Sequence, residues 1–526
     1  MDNARIRFKR LAIAVLVAAS IVAFLEAGPS SRKWKAGIAR ANITPIESMW
    51  MAGYAARTHP SEGKLQDLWL KVLALEDSTG QRAIVVTTDL LGLPAAVSNR
   101  VYAQLHDKFG LARRAVMFAS SHTHCGPVLS GALLDIYPMD EEQQSKVDAY
   151  TARLEQQMVE AVEQALKNLA PAELAAGIGT AGFAVNRRNN TEEDVLKGKE
   201  LKGPVDHSVP VLKVRGHDGR LLAIVFAYAC HNTTLDFYQW CGDYAGFAQE
   251  YLERQHPGAT ALFVAGCGAD ANPIPRRSLN LCMNYGSQLA AAVDRVLAAR
   301  MQRLDPLLET AFSQIDLPLA PAPARDELVA RTENKLEWVR RWARRMLVPA
   351  DRGDKFIDRY PYPVQVWRLG GRQVWIALGG EVVVDYALRL KRELGESVWV
   401  TAYANDVMAY IPSLRILKEG GYEGATSMMA YGMPSIWTPP VEELIVTEVK
   451  RLVQRVRNQR TRSSFEQSAF SFQQSAFSNQ PSAFSNQPSA IGVEHRQVKL
   501  KGRTLQRGEA MSPLKEPLSG LLKTDY

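Results

Sequence analysis

The chain has 526 residues, 46% hydrophobic and 22% charged, with a formal net charge of +8. This composition excludes a fibrous chain and supplies enough apolar material for a large core. The modest positive charge lacks a clustered arginine–aromatic pattern, which argues against nucleic acid as a partner, and five cysteines in so long a chain are no disulfide scaffold.

Residues 1–27 carry Arg5, Arg7, Lys9 and Arg10, followed by the uncharged run from Leu11 to Leu25. A basic start before an apolar run too short for an ordinary spanning helix reads as an export signal. Leu25 makes a poor cleavage context near Ala27, so an uncleaved membrane anchor is the alternative. Both readings expect an exported body, whether periplasmic, secreted or membrane-anchored. The oligomeric state has no signature in the sequence.

From about residue 65 to 400, short β-rich apolar runs alternate with helical stretches. Strands are predicted at Leu68–Leu75, Ala83–Thr88, Val116–Ala119, Val209–Val214, Leu222–Tyr228, Ala261–Ala265, Val364–Leu369 and Val374–Leu378. Helices are predicted at Glu141–Leu166, Ala245–Arg254, Asn284–Ala299, Asp326–Met346, Val382–Glu393 and Val441–Val456. The spacing is not a regular βαβ repeat, so the expected fold is α/β (α+β), a layered mixed sheet core packed by helices.

Around Lys335–Met346, Trp338, Trp342 and Met346 recur at fourfold spacing among Arg340, Arg341, Arg344 and Arg345. This predicts an amphipathic helix with its tryptophans on the core and a solvated basic face; peripheral membrane contact is the alternative. Residues 463–492 repeat Ser-Ala-Phe or Ser-Ala-Ile with a seven-residue period. Rich in Ser, Gln and Asn and broken by Pro481 and Pro488, the segment offers no coiled-coil seam, and 460–526 reads as a disordered tail.

The chemistry concentrates where predicted strands end. Val116–Ala119 leads into Ser121-His122-Thr123-His124-Cys125-Gly126-Pro127. Extended residues two apart point the same way, so His122 and His124 are expected to face one pocket. Leu222–Tyr228 leads to Cys230-His231-Asn232, Ala261–Ala265 to Gly268-Ala269-Asp270-Ala271-Asn272-Pro273, and Val374–Leu378 to Gly379-Gly380-Glu381. Each alone is readable as a turn or a helix cap. Together they bring two or three histidines and a carboxylate to the strand ends of an α/β sheet, a donor set suited to zinc with a position open to water or substrate.

These motifs, in this order, resemble the neutral/alkaline non-lysosomal ceramidase family. Gly37-Ile-Ala-Arg-Ala-Asn-Ile-Thr-Pro45, Met51-Ala-Gly53-Tyr54 and Asn186-Arg187 are similar as well, and the resemblance runs from about 35 to 455. It implies a zinc hydrolase domain over 35–457, cleaving a linear amide, foremost N-acylsphingosine, an amphipathic lipid. It further implies His122, His231, Glu381 and Tyr410 as zinc ligands, and Tyr422 as an active-site tyrosine. His124 would move the proton to the leaving amine, and Tyr422 with Arg187 would stabilise the oxyanion. Gly53, Asp270 and Asn272 are expected beside the substrate. The sequence departs from the family where some members carry a serine regarded as catalytic, since Asn272 stands there; the repetitive tail also replaces the immunoglobulin-like sandwich that ends longer members. Two rivals are a two-metal hydrolase recruiting His124 with Asp89 or Asp270, and an inactive lipid-binding or cell-surface protein of the same fold.

Overall fold

The computed structural model describes residues 33–458. The signal or anchor reading over 1–27 and the repeat tail lie outside the described residues. Among the described residues no helix is long and apolar enough to cross a membrane.

Eight of the strands of the larger, nine-stranded sheet are β1 (Trp34–Asn42), β2 (Trp69–Glu76), β3 (Arg82–Thr88), β4 (Val116–Ser120), β5 (Ala170–Thr180), β6 (Ser208–Gly216), β7 (Leu221–Tyr228) and β8 (Thr260–Ala265). Their spatial order is β8-β7-β6-β5-β1-β2-β3-β4, with the short strand Gln302–Leu304 paired to β5. Only β3–β4 and β7–β8 pair in parallel. A four-stranded sheet follows, in the order β9 (Leu308–Pro318), β10 (Arg359–Leu369), β11 (Gln373–Leu378) and β12 (Trp399–Thr401).

Alternation of side chains across each strand builds the layers. Inward residues of both sheets form one buried cluster, in which Leu73, Val85, Leu212 and Leu262 share a core with Trp367, Trp375 and Trp399. The opposite faces are covered by helices, joined in a second cluster. On the larger sheet these are α1 (Ala95–Phe109), α2 (Glu141–Lys167), α3 (Asp243–Gln255) and α4 (Leu279–Ala298). Buried on both faces, β4 and β11 read as unbroken apolar runs, which is why the sequence predicts them so well.

The helix predicted over Asp326–Met346 is two: Arg325–Arg331 and α5 (Glu337–Asp351). Between them the Asn334 side chain accepts from the Leu336 N–H, a local bond that competes with helix continuation. Trp342 and Met346 of α5 are buried against Leu328, in keeping with the core-packing reading. Its arginines find local carboxylates, Arg340 with Glu337 and Arg345 with Asp135. The smaller sheet packs on α6 (Val384–Leu394) and α7 (441–458). β5, rich in Ala and Gly, has no strand signature and is a strand because both neighbours pair with it.

The two sheets are stitched together at one end by residues 401–405. Thr401 bridges Gly266 beyond β8, Ala404 bridges Ala119 of β4, and the Asn405 N–H donates to Phe118 O at 2.9 Å. Tyr403 and Asn405 hold left-handed backbones (φ 53° and 66°) to make this crossing.

Candidate active site

Beyond the last residue of β4, His122 adopts φ 60°, so the extended alternation expected across residues 122–124 does not operate. The left-handed turn is held by the His122 N–H donating to Leu90 O at 2.9 Å and by Nδ1 donating to Leu91 O at 2.7 Å. The two imidazoles converge nonetheless, with ring centroids 4.9 Å apart and Nε2 atoms 3.2 Å apart. His124 lies 4.8 Å from the Tyr54 ring, and its Nδ1 is buried without a partner. Gly53 makes room for it: a Cβ there would fall 2.4 Å from His124 Cγ, and φ is 107°.

His231 follows β7, and its Nδ1 donates to Gly268 O at 2.9 Å. The Gly266-Cys267-Gly268 turn lies directly against this segment, where a Cβ on Gly268 would sit 2.3 Å from the Cys230 nitrogen. A buried carboxylate braces the loop that continues from His231. Asp243, at the start of α3, accepts from the Thr234, Leu235 and Tyr244 N–H groups.

Glu381 follows β11 and reaches the same point. Its Oε2 stands 3.0 Å from His122 Nε2 and 3.1 Å from His231 Nε2, and its Oε1 accepts from the Tyr431 hydroxyl. Tyr410 lies alongside, with its hydroxyl 3.2 Å from His231 Nε2 and accepting from Arg187 Nη2 at 3.1 Å. Arg187 is oriented by Glu423 Oε1 at 2.9 Å and Asn272 Oδ1 at 3.3 Å. The Tyr422 ring lies 5.2 Å from Tyr410, with the Arg187 guanidinium 5.9 Å from its centroid.

A carbonyl only accepts, so Nδ1 of His122 and of His231 each carries a proton and the Nε2 atoms are turned inward. They face Glu381 Oε2, an atom that is buried and receives no hydrogen bond. Burial and the two neighbouring histidines hold His124 well below the usual imidazole range, and burial, aided by Arg187, lowers His231 to about 4. Burial pushes the Glu381 carboxyl up, but His122 and His231 outweigh it and keep it well below the usual range. Three buried imidazoles therefore crowd one carboxylate, a donor set that a cation among them would complete. Donors around tetrahedral zinc lie about 3.3 Å apart, given bonds near 2.0–2.1 Å, close to the spacing found here. The residues fit the ion. The ligand nitrogens of His122, His124 and His231 lie within 4.8 Å of one another, so His124 is also within reach of a shared ion.

Not every predicted residue faces this cluster. Asp270 gives one oxygen to the Val384 N–H at the start of α6 and the other to Asn186 Nδ2. Asp89 likewise accepts from the Trp69 N–H and Gln249 Nε2. Sequence reasoning leaves out Tyr431, Glu423 and Tyr403, whose ring stacks 4.2 Å from His122. Glu423 adjoins the predicted Tyr422 and could have been found from that, whereas Tyr431 carries no local signal. All five cysteines are buried and free.

The chain spans 75% of a neutral ceramidase from Pseudomonas aeruginosa and 76% of a ceramidase complexed with C2. It matches the first over 82% of its own length at 20% identity and the second over 82% at 18%, each with a TM-score of 0.62. These likenesses establish a shared fold. No curated protein matches the chain. The family model for neutral/alkaline non-lysosomal ceramidase, N-terminal, matches residues 34–275, the stretch that carries β1 to β8, His122, His124 and His231. Over that stretch the chain is similar to the neutral/alkaline non-lysosomal ceramidase family.

Proposed function

We propose that the chain is a zinc-dependent hydrolase of linear amides, acting on N-acylsphingosine-like lipids outside the cytoplasm. The observation that carries this reading is the convergence of two imidazole Nε2 atoms on one buried carboxylate oxygen. His122, His231, Glu381 and Tyr410 would hold the ion. When bound, zinc supplies Lewis acidity that makes water nucleophilic near neutral pH.

The other groups have tasks suited to amide cleavage. His124 is neutral with a buried, unpartnered Nδ1, so it can take up a proton and pass it to the leaving nitrogen. Arg187 arrives already oriented by Glu423 and Asn272, and with Tyr422 it can donate to the carbonyl oxygen as charge develops there. Asn272 offers no nucleophilic oxygen, which favours direct attack by water over an acyl-enzyme. With Asp89 and Asp270 committed to other partners, a single ion is favoured over two. The ceramidase family match and the names of the two structural neighbours support the lipid amide as substrate.

The test is hydrolysis of a short-chain fluorescent ceramide by purified, zinc-loaded protein. Cleavage that is lost with a chelator, restored by zinc and absent in His231→Ala is expected. If neither ceramide nor other N-acyl amides are cleaved, the amidase reading falls; if His231→Ala keeps its zinc and its full rate, the ligand assignment falls.

A further inference from the structure

We infer that Tyr431 is a positioning residue that selects which oxygen of Glu381 meets the metal; this rests on the reading of Glu381 as a ligand. The terminal torsion of a glutamate is broad and roughly two-fold, so a carboxylate alone has no preference between its oxygens. Here the choice is made by one proton. Among the described residues, Tyr431 is the hydrogen-bond donor to Glu381 Oε1, and Oε2 is thereby left turned toward His122 and His231.

Tyr431 is itself well placed to act as a fixed post. It closes the short helix Ser427–Ala430, its N–H donating to Ser427 O at 3.3 Å. The next two residues are tied to α5, with Arg345 Nη2 donating to Gly432 O and Trp342 Nε1 to Met433 O, both at 3.1 Å. The aromatic, basic helix that the catalytic chemistry leaves unexplained thus anchors the backbone behind this phenol. Ligands are commonly oriented by such outer partners, and losing one typically weakens metal binding 10–100-fold.

The test is the zinc Kd of the full chain, measured by competition with a chromophoric chelator, in wild type, Tyr431→Phe, Glu381→Ala and the double variant. Tyr431→Phe should weaken zinc about 10–100-fold and alter the visible spectrum of the cobalt-loaded protein, with the metal-free melting temperature unchanged. In the Glu381→Ala background it should cost nothing further, because it acts through that carboxylate. A change below about threefold, far under the range for an outer partner, overturns the inference. So does an equal loss in both backgrounds, or loss of the metal-free melting transition, which would give the hydroxyl to the fold. If Glu381→Ala itself binds zinc like wild type, the ligand reading fails first and takes this inference with it.

Discussion

The two halves of the site are oriented by different means. On the larger sheet, His122 and His231 are fixed by main-chain carbonyls, Leu91 O and Gly268 O. On the smaller sheet and the segments after it, Glu381 and Tyr410 are fixed by side chains, Tyr431 and Arg187. A carbonyl acceptor survives any substitution that keeps the backbone in place, whereas a phenol or a guanidinium is lost by one codon change. The imidazole half is therefore a rigid given, and the oxygen half is where affinity and rate can be tuned. The family match follows the same division, covering 34–275 and ending before β9.

The strongest way to break this contrast is to remove a donor from each half. His122→Ala should weaken zinc by more than ~100-fold, outside the range of an outer partner, while the isosteric Glu381→Gln should weaken it less; equal losses in a chelator competition would erase the distinction. Next, Arg187→Leu, assayed at saturating zinc because the same guanidinium steadies Tyr410, should lower kcat by ~10²–10³, the cost of losing an oxyanion donor. A loss confined to KM would move Arg187 from the reacting carbonyl to substrate binding.

Acid should then act through the rigid half. The folded-state pKa of His231 is depressed from 6.5 to about 4 by burial and then by Arg187. The unfolded chain therefore takes up a proton first, and the metal-free protein should lose stability as pH falls from 6.5, the share due to His231 being complete by about 4. Urea midpoints against pH check this, and His231→Asn should make the curve shallower in that window, with the similarly depressed His124 supplying the slope that remains. The smallest effect is expected at Arg344, exposed on α5 and 3.8 Å from Glu337. Arg344→Ala should change stability by less than ~0.5 kcal/mol, and a measurable loss of binding to anionic vesicles would revive the membrane reading of that helix.

How much of this could be read from the chain depended on whether the information was local. Runs such as Val116–Ala119 and Val374–Leu378 are apolar because both faces are buried, so strand and strand end were legible together, and His122, His231 and Glu381 with them. β5 was not, because its pairing is imposed by neighbours rather than by its Ala-rich sequence. The left-handed His122 was hidden for a similar reason: the turn is made by carbonyls of residues 90 and 91. Tyr431 could not be found at all, since its meaning lies in a contact across fifty residues of sequence. Asp270 and Asn272 were found as strand-end residues, but their partners were not: one accepts from the Val384 N–H at the start of α6, the other steadies Arg187.

The stitch at residues 401–405 gives the metal a second meaning. His122, His231 and Glu381 come from strand ends of both sheets, and they share a point only when Thr401 and Ala404 have closed on Gly266 and Ala119. An ion that needs all three recognises the finished assembly and ignores every partly built one. It would then add about 2.7 kcal/mol of stability at a hundredfold excess over its Kd, drawn entirely from the closed state. If zinc is the ion held there, zinc-dependent melting of this chain would report how completely its two sheets have been joined, and a single residue of slippage in the stitch would silence it.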